Sequence, residues 1–363
     1  MRTQILSPSG ARPTNLAVNG AMDFWQRIVG AANNFTAASG AFFSADRIVQ
    51  LTAGPTAKNF SAQRSTSVPP AALVGTPPAY SCQTNCTTTV ASPAAADRWF
   101  AYRYTVEDVD MREAIQLGYL TIAFEFFATT AGNYPWRGYN FTSNRSYVST
   151  FAYTTPNVWE QIVIQVPLEA AGTPYHFGFY IEHSGSTFQT ASLNTWLAGD
   201  ISTPSSGIVN LYTNGLTTRL TNLSVFAGKV YPLRNNYYRR TSSLTEELAL
   251  CQRYFQKTYF MDDIYGTNIG NGRGELTARI IAGTTSNNDM LAEWSFAVVM
   301  RAIPSVSLFA PQGNQNQWRR DSGDFTGAVV HAGNVSERGT AISNQSATNT
   351  AFHRIHAIAD AEF

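Results

Sequence analysis

Cleaving a glycosidic bond needs two carboxyl groups, one on either side of the bond. Glu125, Glu160, Glu169, Glu182 and Asp200 could contribute such a pair, but their positions along the chain do not bring any two together. Glu125 stands between Phe124 and Phe126, so on a strand it points away from those rings and reads as a solvent-side residue. His176 and His183 flank a predicted strand, and their odd spacing sends them to opposite faces, which argues against shared metal coordination. His353 and His356 meet the same objection. Cys82 and Cys86 could close a small loop across Gln83-Thr84-Asn85, whereas a metal site would need further Cys or His ligands nearby. With Cys251 they make three cysteines, too few for a disulfide framework. The chain has no Gly-x-Ser-x-Gly elbow, no phosphate-cradling glycine loop followed by Lys and no His-Glu-x-x-His. Catalysis finds no support in these residues, and no cofactor is expected.

Binding chemistry has more to work with. An aromatic ring can stack on the C–H face of a sugar while Tyr hydroxyls, Asn amides and Arg guanidinium groups satisfy the sugar's hydroxyls. Residues 133–140 read as a loop and hold Tyr134, Trp136, Arg137, Tyr139 and Asn140. A polar tip at 315–321 carries Trp318. Both stretches stay open to two readings: contact with a glycan, or packing against the core or a neighbouring subunit.

The elements that must position these residues are mostly strands. Period-two alternation or β-favouring composition marks 99–105, 120–128, 147–153, 159–166, 175–181, 208–213 and 218–226. Further strands follow at 275–282, 291–300, 305–310, 325–332 and 350–359. Two helices are predicted, one over 107–117 with Val109, Ala114, Ile115 and Leu117 available for burial. The other covers 244–255, capped by Thr245, with Glu246 and Glu247 at its positive end. The Pro- and Thr-rich stretch 65–96 reads as a long loop. Short strands separated by turns indicate antiparallel sandwiches. The predicted organisation is all-β: an N-terminal jelly-roll β-sandwich with an arm over 1–232, then a helix and a second, smaller β-sandwich over 233–363.

Charged residues are 13% of the 363, about half the ~25% of ordinary globular chains, and the net charge is +1. A general nucleic-acid binder, which needs a strongly basic face, is thereby disfavoured. Lys58, Lys229 and Lys257 are the only lysines, so arginine supplies most of the positive charge. Its planar fork suits fixed contacts better than a solubilising coat. No segment approaches the ~20 apolar residues needed to span a bilayer, and no signal-peptide core is expected at the start.

Several motifs add to this reading. Leu16-Ala17-Val18-Asn19-Gly20, Asp23-Phe24-Trp25-Gln26-Arg27 and Ser44-Ala45-Asp46-Arg47 resemble the opening of tailed-phage and prophage virion proteins with a carbohydrate-binding-module-like jelly roll. Ile48 stands where an aromatic is commoner in that family. Asn157-Val158-Trp159-Glu160 is similar to the family's Trp-Glu strand start, residues 120–127 to the strand after its short helix, and residues 220–228 to its closing strand. The run from Glu247 through Cys251, Gln252 and Arg253 to Phe255 resembles its Glu-Leu-x-Leu-Cys-Gln-Arg-Tyr segment. Phe296 to Pro304 is similar to its Phe-x-Val-x-Met-Arg-x-x-Pro strand, and Ala359-Asp360-Ala361-Glu362-Phe363 to its ending, with Phe for Leu.

The resemblance implies a structural virion protein, a tail fibre, head fibre or spike, made in the bacterial host cytoplasm and assembled into the particle. It also implies a homo-oligomer, a trimer by preference, with other virion proteins and a host cell-surface polysaccharide as partners. Three functions follow: a non-enzymatic adhesin for surface glycan, a purely structural decoration, fibre base or adaptor, and a capsule depolymerase.

Overall fold

The computed structural model describes residues 14–27, 33–35, 40–57, 59–91, 93–169, 176–231, 240–241, 243–270, 274–279, 290–320, 325–330, 334–344 and 352–362. It has two compact units: Met1–Asp23 with Gly30–Ser242, and Phe24–Val29 with Ser243–Phe363. The short segment Phe24–Val29, which the sequence places with the N-terminal domain, thus belongs to the second unit. Among the described residues no helix is long and apolar enough to cross a membrane.

In chain order the first unit contains β1 (Asn33–Phe35), β2 (Gly40–Phe43), β3 (Val49–Ala53), β4 (Phe60–Ser65), α1 (Ala71–Val74), β5 (Ser81–Cys86), β6 (Arg98–Val106) and α2 (Asp108–Leu117). There follow β7 (Tyr119–Ala128), β8 (Gly132–Asn140), β9 (Arg145–Tyr153), β10 (Glu160–Pro167), β11 (Phe177–Ser184), β12 (Gln189–Thr190), β13 (Trp196–Ala198), β14 (Thr203–Pro204) and β15 (Thr217–Ala227). All the strands but β12 and β14, which pair with each other in parallel, form an antiparallel sandwich. One sheet has the order β1-β4-β5-β15-β7-β10 and the other β13-β9-β8-β11-β6-β3-β2. Inward residues of the two sheets interdigitate: Phe60 stacks on Trp99 at 3.7 Å, and Phe124 meets Phe151 and Phe179 at 5.5 Å each. The jelly-roll expectation for this unit stands.

Several local expectations give way. The stretch 65–96 contains α1 and β5, a strand without apolar alternation. Its buried Thr84 accepts from Gln50 Nε2 at 2.8 Å and its Cys82 thiol donates to Ser44 Oγ. Cys82 and Cys86 are four residues apart on this one strand, about 13 Å by the rise per residue, and both are free thiols. No small disulfide loop forms. Residues 208–213, expected as a strand, form turns. In α2 it is Met111 and Ala114 that are buried, while Val109 and Leu117 lie exposed. Gly118 ends that helix in the left-handed conformation, φ 70°.

The arm that precedes the strands is tied into the sandwich. Asn15 Oδ1 accepts from the backbone N–H of Ala17 and of Val225, Leu16 N–H donates to Val225 O at 2.7 Å, and Val18 N–H donates to the Tyr104 hydroxyl at 2.7 Å. Asn19 Nδ2 donates to Asp46 O at 3.0 Å, joining two of the motifs singled out above.

The second unit contains α3 (Leu244–Gln252), β16 (Phe255–Lys257), β17 (Leu276–Arg279), β18 (Met290–Ser295), β19 (Ser305–Phe309), β20 (Gln317–Arg320), β21 (Phe325–Val330), β22 (Gly339–Asn344) and β23 (Phe352–Asp360). They make one eight-stranded sheet in which β23 pairs with β16, β17, β19 and β20. Ser243, not Thr245, caps α3 by accepting from Thr245 N–H. The helix ends at Gln252, because Phe255 has already joined the sheet opposite Asp360. Arg27 pairs with Asp360 and Glu362 at 3.1 Å each, and its guanidinium carbon lies 4.2 Å from the centre of the Phe255 ring. The matched motifs therefore meet in an architectural knot.

Candidate functional site

Strand β8 settles the fate of the aromatic stretch. Residues 133–140 are not a loop but a central strand paired on both sides, with Trp136 opposite Ser149 and Ile181. A strand sends alternate side chains to opposite faces. Tyr134 and Trp136, 0% and 3% exposed, therefore point into the core. There Tyr134 meets Phe126 edge-on at 5.0 Å and donates to Thr130 O at 2.7 Å. Asn140 shares this inward face, where Asn140 Oδ1 accepts from Thr142 N–H. Trp318, expected on a polar tip, lies on β20 with no exposed surface and donates to Ser343 O at 3.0 Å. Buried rings present no face to a sugar, so Tyr134, Trp136 and Trp318 are corrected to core residues.

Arg137 and Tyr139 point the other way, onto the outer face of the seven-stranded sheet, where neighbouring strands supply their companions. Tyr180 lies opposite Arg137 on β11, and Phe100 lies opposite Glu182 on β6. Tyr180 and Glu182, two positions apart on β11, share this outer face by ordinary alternation. The register shift opposite Ile181 and Glu182 gives β6 an extra residue at Ala101, which lets Phe100 share the face with Arg103 three positions away. Phe100 and Tyr180 meet edge-on at 5.3 Å. The Arg137 guanidinium lies 4.3 Å from the Tyr180 ring and 4.7 Å from Tyr139, and that of Arg98 lies 4.8 Å from Phe100 and 4.5 Å from Phe188. Beyond Tyr180, Arg103 stands over Phe141 at 5.3 Å. A row of rings and guanidinium groups thus crosses the face. Tyr139, Phe141, Arg103 and Phe188 are half-exposed, while Phe100 and Tyr180 form a buried floor.

Two carboxylates balance the two central arginines. Glu182, with no exposed surface, contacts Arg137 Nε and lies 3.5 Å from Arg98. Asp200 arrives from the segment that follows β13. It binds both Arg98 nitrogens, at 2.5 and 3.1 Å, and also contacts Arg137. Burial raises the pKa of Glu182 even with Arg137 and Arg98 beside it. For Asp200 burial again opposes the charge, but the hydrogen bonds from Arg98 and the charge of Arg137 outweigh it and hold the carboxyl below its usual range. Burial pushes the Tyr180 hydroxyl up to about 12. Tyr139 is also raised, by burial and then by the Asp200 charge.

Glu182 and Asp200 are two of the five acids considered for a glycosidase pair, and the structure does bring them together. The guanidinium of Arg137 occupies the space between them by contacting both, and Glu182 has no surface open to a substrate. The other acids serve structure. Glu160 accepts from the backbone and hydroxyl of Thr154 and from Thr155 N–H, holding the turn before β10. Glu169 pairs with Arg145 at 2.5 Å. Glu125, expected on the solvent side, is buried beside the bulge of β15 at Thr221 and Ser224. His183 accepts from Leu211 N–H at 3.1 Å, and among the described residues no group of three or more His, Cys, Asp or Glu could hold a metal.

No protein-family model and no curated protein matches this sequence. Solved structures with a related arrangement include a domain of bacteriophage CBA120 tailspike protein 4, described as enzymatically active, at 12% identity over 59% of this chain and 21% of that one, TM-score 0.31. A family 11 carbohydrate-binding module of a Clostridium thermocellum cellulase is similar at 12% identity over 56% and 98%, TM-score 0.27. A putative sugar binding protein of Bacteroides thetaiotaomicron is similar at 9% identity over 59% and 99%, TM-score 0.30. This chain spans about a fifth of the length of the tailspike chain. The two-sheet sandwich itself rests on the strand order given above.

Sequence reasoning missed Arg98, Phe100, Tyr180 and Phe188, and placed Glu182 and Asp200 in a catalytic context only. One signal was available. In Arg98-Trp99-Phe100 the ring at 99 faces inward, so the flanking Arg and Phe must share the outer face. The bulge in β6 that brings Phe100 opposite Glu182 leaves no such mark.

Proposed function

We propose that this chain is a non-enzymatic fibre or spike component of a phage particle whose sandwich unit attaches to glycan on the host surface. One observation carries the reading: half-exposed rings at Tyr139, Phe141 and Phe188 flank a hydrogen-bonding fork of Arg98, Arg137 and Asp200 on one rigid sheet face. Rings offer stacking and the fork offers directed polar contacts, the combination a pyranose requires. Each such contact is weak, and many copies on one particle multiply them. Support for a virion setting comes from the motifs resembling those of phage proteins. Homo-oligomers, a trimer by preference, and contacts with other virion proteins belong to the same reading. Absence of enzyme activity is proposed because Arg137 fills the space between the two candidate acids and Glu182 has no open surface.

A structural role without glycan contact is the alternative, favoured by one observation: the motif residues Arg27, Asp360 and Glu362 pair with one another inside the second unit, and Asn19 is held to Asp46 O inside the first.

A glycan array probed with the intact protein and with Tyr139→Ala separates the two. Removing one stacking ring, worth ~0.5–1.5 kcal/mol, should weaken attachment about 2- to 13-fold. Equal binding by the two proteins would remove the site. New reducing ends released from host polysaccharide would overturn the non-enzymatic reading.

A further inference from the structure

Asp200 is the most exposed member of the charged quartet, with 40% of its side chain exposed against 11% for Arg98. It is also held in place. Gly199 O accepts from the Ser146 hydroxyl at 2.8 Å and Ile201 N–H donates back to that hydroxyl at 3.0 Å, so the backbone on both sides of Asp200 is pinned to β9. Gly199 allows this turn by adopting φ 86°. Arg98 NH2 and Arg137 NH1 donate to Oδ1, and Arg98 NH1 to Oδ2. A carboxylate oxygen accepts about two hydrogen bonds. Oδ1 is therefore filled, while Oδ2 accepts one of these bonds and keeps capacity for a second on a side chain that is 40% exposed.

With Glu182 ionised between Arg137 and Arg98, the charges at this point cancel. Arg98 and Arg137 contribute two positive charges, and Glu182 and Asp200 two negative ones. Nothing at the fork is left over to hold an anion, and the carboxylate nearest solvent repels one. Arg103, the next cation along the row, stands beyond the Tyr180 ring at 5.6 Å from its centre.

We infer that Asp200 makes this face select uncharged, hydroxyl-rich sugars and reject sugars that carry a carboxylate at the same position. The inference rests on the glycan-attachment reading and names the ligand class for that site. Oδ2 accepts a sugar hydroxyl hydrogen, the Tyr139 ring covers the C–H face, and a uronate carboxylate would meet Asp200 with like charge.

The test uses the full chain and a panel of uncharged glucan, galactan and mannan chains, each beside its C6-oxidised uronate form. The intact protein should bind the uncharged form at least tenfold more tightly, with little dependence on salt between 50 and 500 mM. Asp200→Asn removes the repelling charge and leaves the arginine pair in excess, so the ratio should move toward the uronate by at least tenfold. Asp200→Glu keeps the charge and should keep the sign of the preference. A wild-type preference for uronate, or binding that collapses with salt, overturns the inference while leaving attachment standing. An unchanged ratio in a folded Asp200→Asn protein also overturns it. Binding to neither form of any backbone counts against attachment itself.

Discussion

Each unit sets an arginine between two carboxylates and lays an aromatic ring against its guanidinium, yet the two clusters do opposite things. In the second unit Arg27 joins Asp360 and Glu362 over Phe255, tying a segment near the start of the chain to its end. In the first unit Arg137 joins Glu182 and Asp200 over Tyr180, but a second arginine, Arg98, shares the same acids and half-exposed rings continue on either side. A closed ion pair costs desolvation and returns a fixed geometry. A pair with one edge open returns a fixed geometry that a ligand can also use. The difference lies less in exposure, 28% of the Asp360 side chain against 40% of that of Asp200, than in the second arginine and the half-exposed rings around Asp200.

The sharpest way to break this comparison is to remove each arginine. Deleting one partner of a buried pair leaves an uncompensated charge and costs ~3–5 kcal/mol. Arg27→Ala should lower the stability of the second unit by that amount, seen as faster hydrogen exchange along β23, without altering attachment to glycan. Arg137→Ala should cost a similar amount along β11, where Glu182 is left behind, and should abolish attachment. Loss of attachment in Arg27→Ala would show that the two clusters are not functionally distinct.

Acid offers a second contrast. His183 in the first unit and His356 in the second are both lowered from 6.5 to about 4 by burial, with Asp263 partly opposing the shift at His356. Their folded values lie below the unfolded one, so the unfolded chain takes up the proton first. Each histidine's contribution is intact above pH 6.5 and is lost as the pH falls toward 4, up to ~3 kcal/mol apiece. The Asp200 carboxyl is held below its usual range, so its ion pairs outlast this window. Denaturant unfolding at pH 7, 5.5 and 4.5 should show both units weakening, and His183→Gln should flatten the slope along β11 alone. A stability curve that stays level from pH 7 to 4.5 would contradict the burial of both rings.

Smaller still is the effect of Trp318→Phe. It removes the indole donor to Ser343 O and should cost ~1–3 kcal/mol in the second unit, with no change in attachment. Any loss of attachment would return Trp318 to the surface role that the sequence suggested for it.

The sequence carried the strands whose alternation is strict. Leu120, Ile122, Phe124 and Phe126 fall on one face of β7 as their spacing requires, and β9, β10 and β15 lie within two residues of their expected bounds. It failed where side-chain character and backbone pairing disagree. Strand β5 reads Ser-Cys-Gln-Thr-Asn-Cys and β8 contains Pro135 and Gly138, so both resemble loops. They are strands because neighbours on both sides pair with them, a tertiary cause that local composition cannot express. Misreading β8 as a loop placed Tyr134, Trp136, Arg137 and Tyr139 in a single patch, whereas a strand divides them between two faces. The site depends further on Asp200, which lies 63 positions from Arg137 in sequence. Only the folded sheet brings them together.

The smallest change asks what Tyr139 contributes beyond its ring. Its hydroxyl donates to Asn144 Oδ1 at 2.8 Å, and its ring stands edge-on to Phe141 at 4.8 Å and 4.7 Å from the Arg137 guanidinium. Tyr139→Phe removes one exposed hydrogen bond, at ~0.5–1.5 kcal/mol of stability at most, and leaves the stacking surface in place. If the ring is the sugar's platform, attachment by Tyr139→Phe should stay close to that of the parent while Tyr139→Ala falls about 2- to 13-fold. Should the two variants lose attachment equally, the hydroxyl and its hold on Asn144 matter more than the ring. The open cluster would then act as a hydrogen-bonding site, with the aromatic row serving only to position its arginines, much as Phe255 does for Arg27.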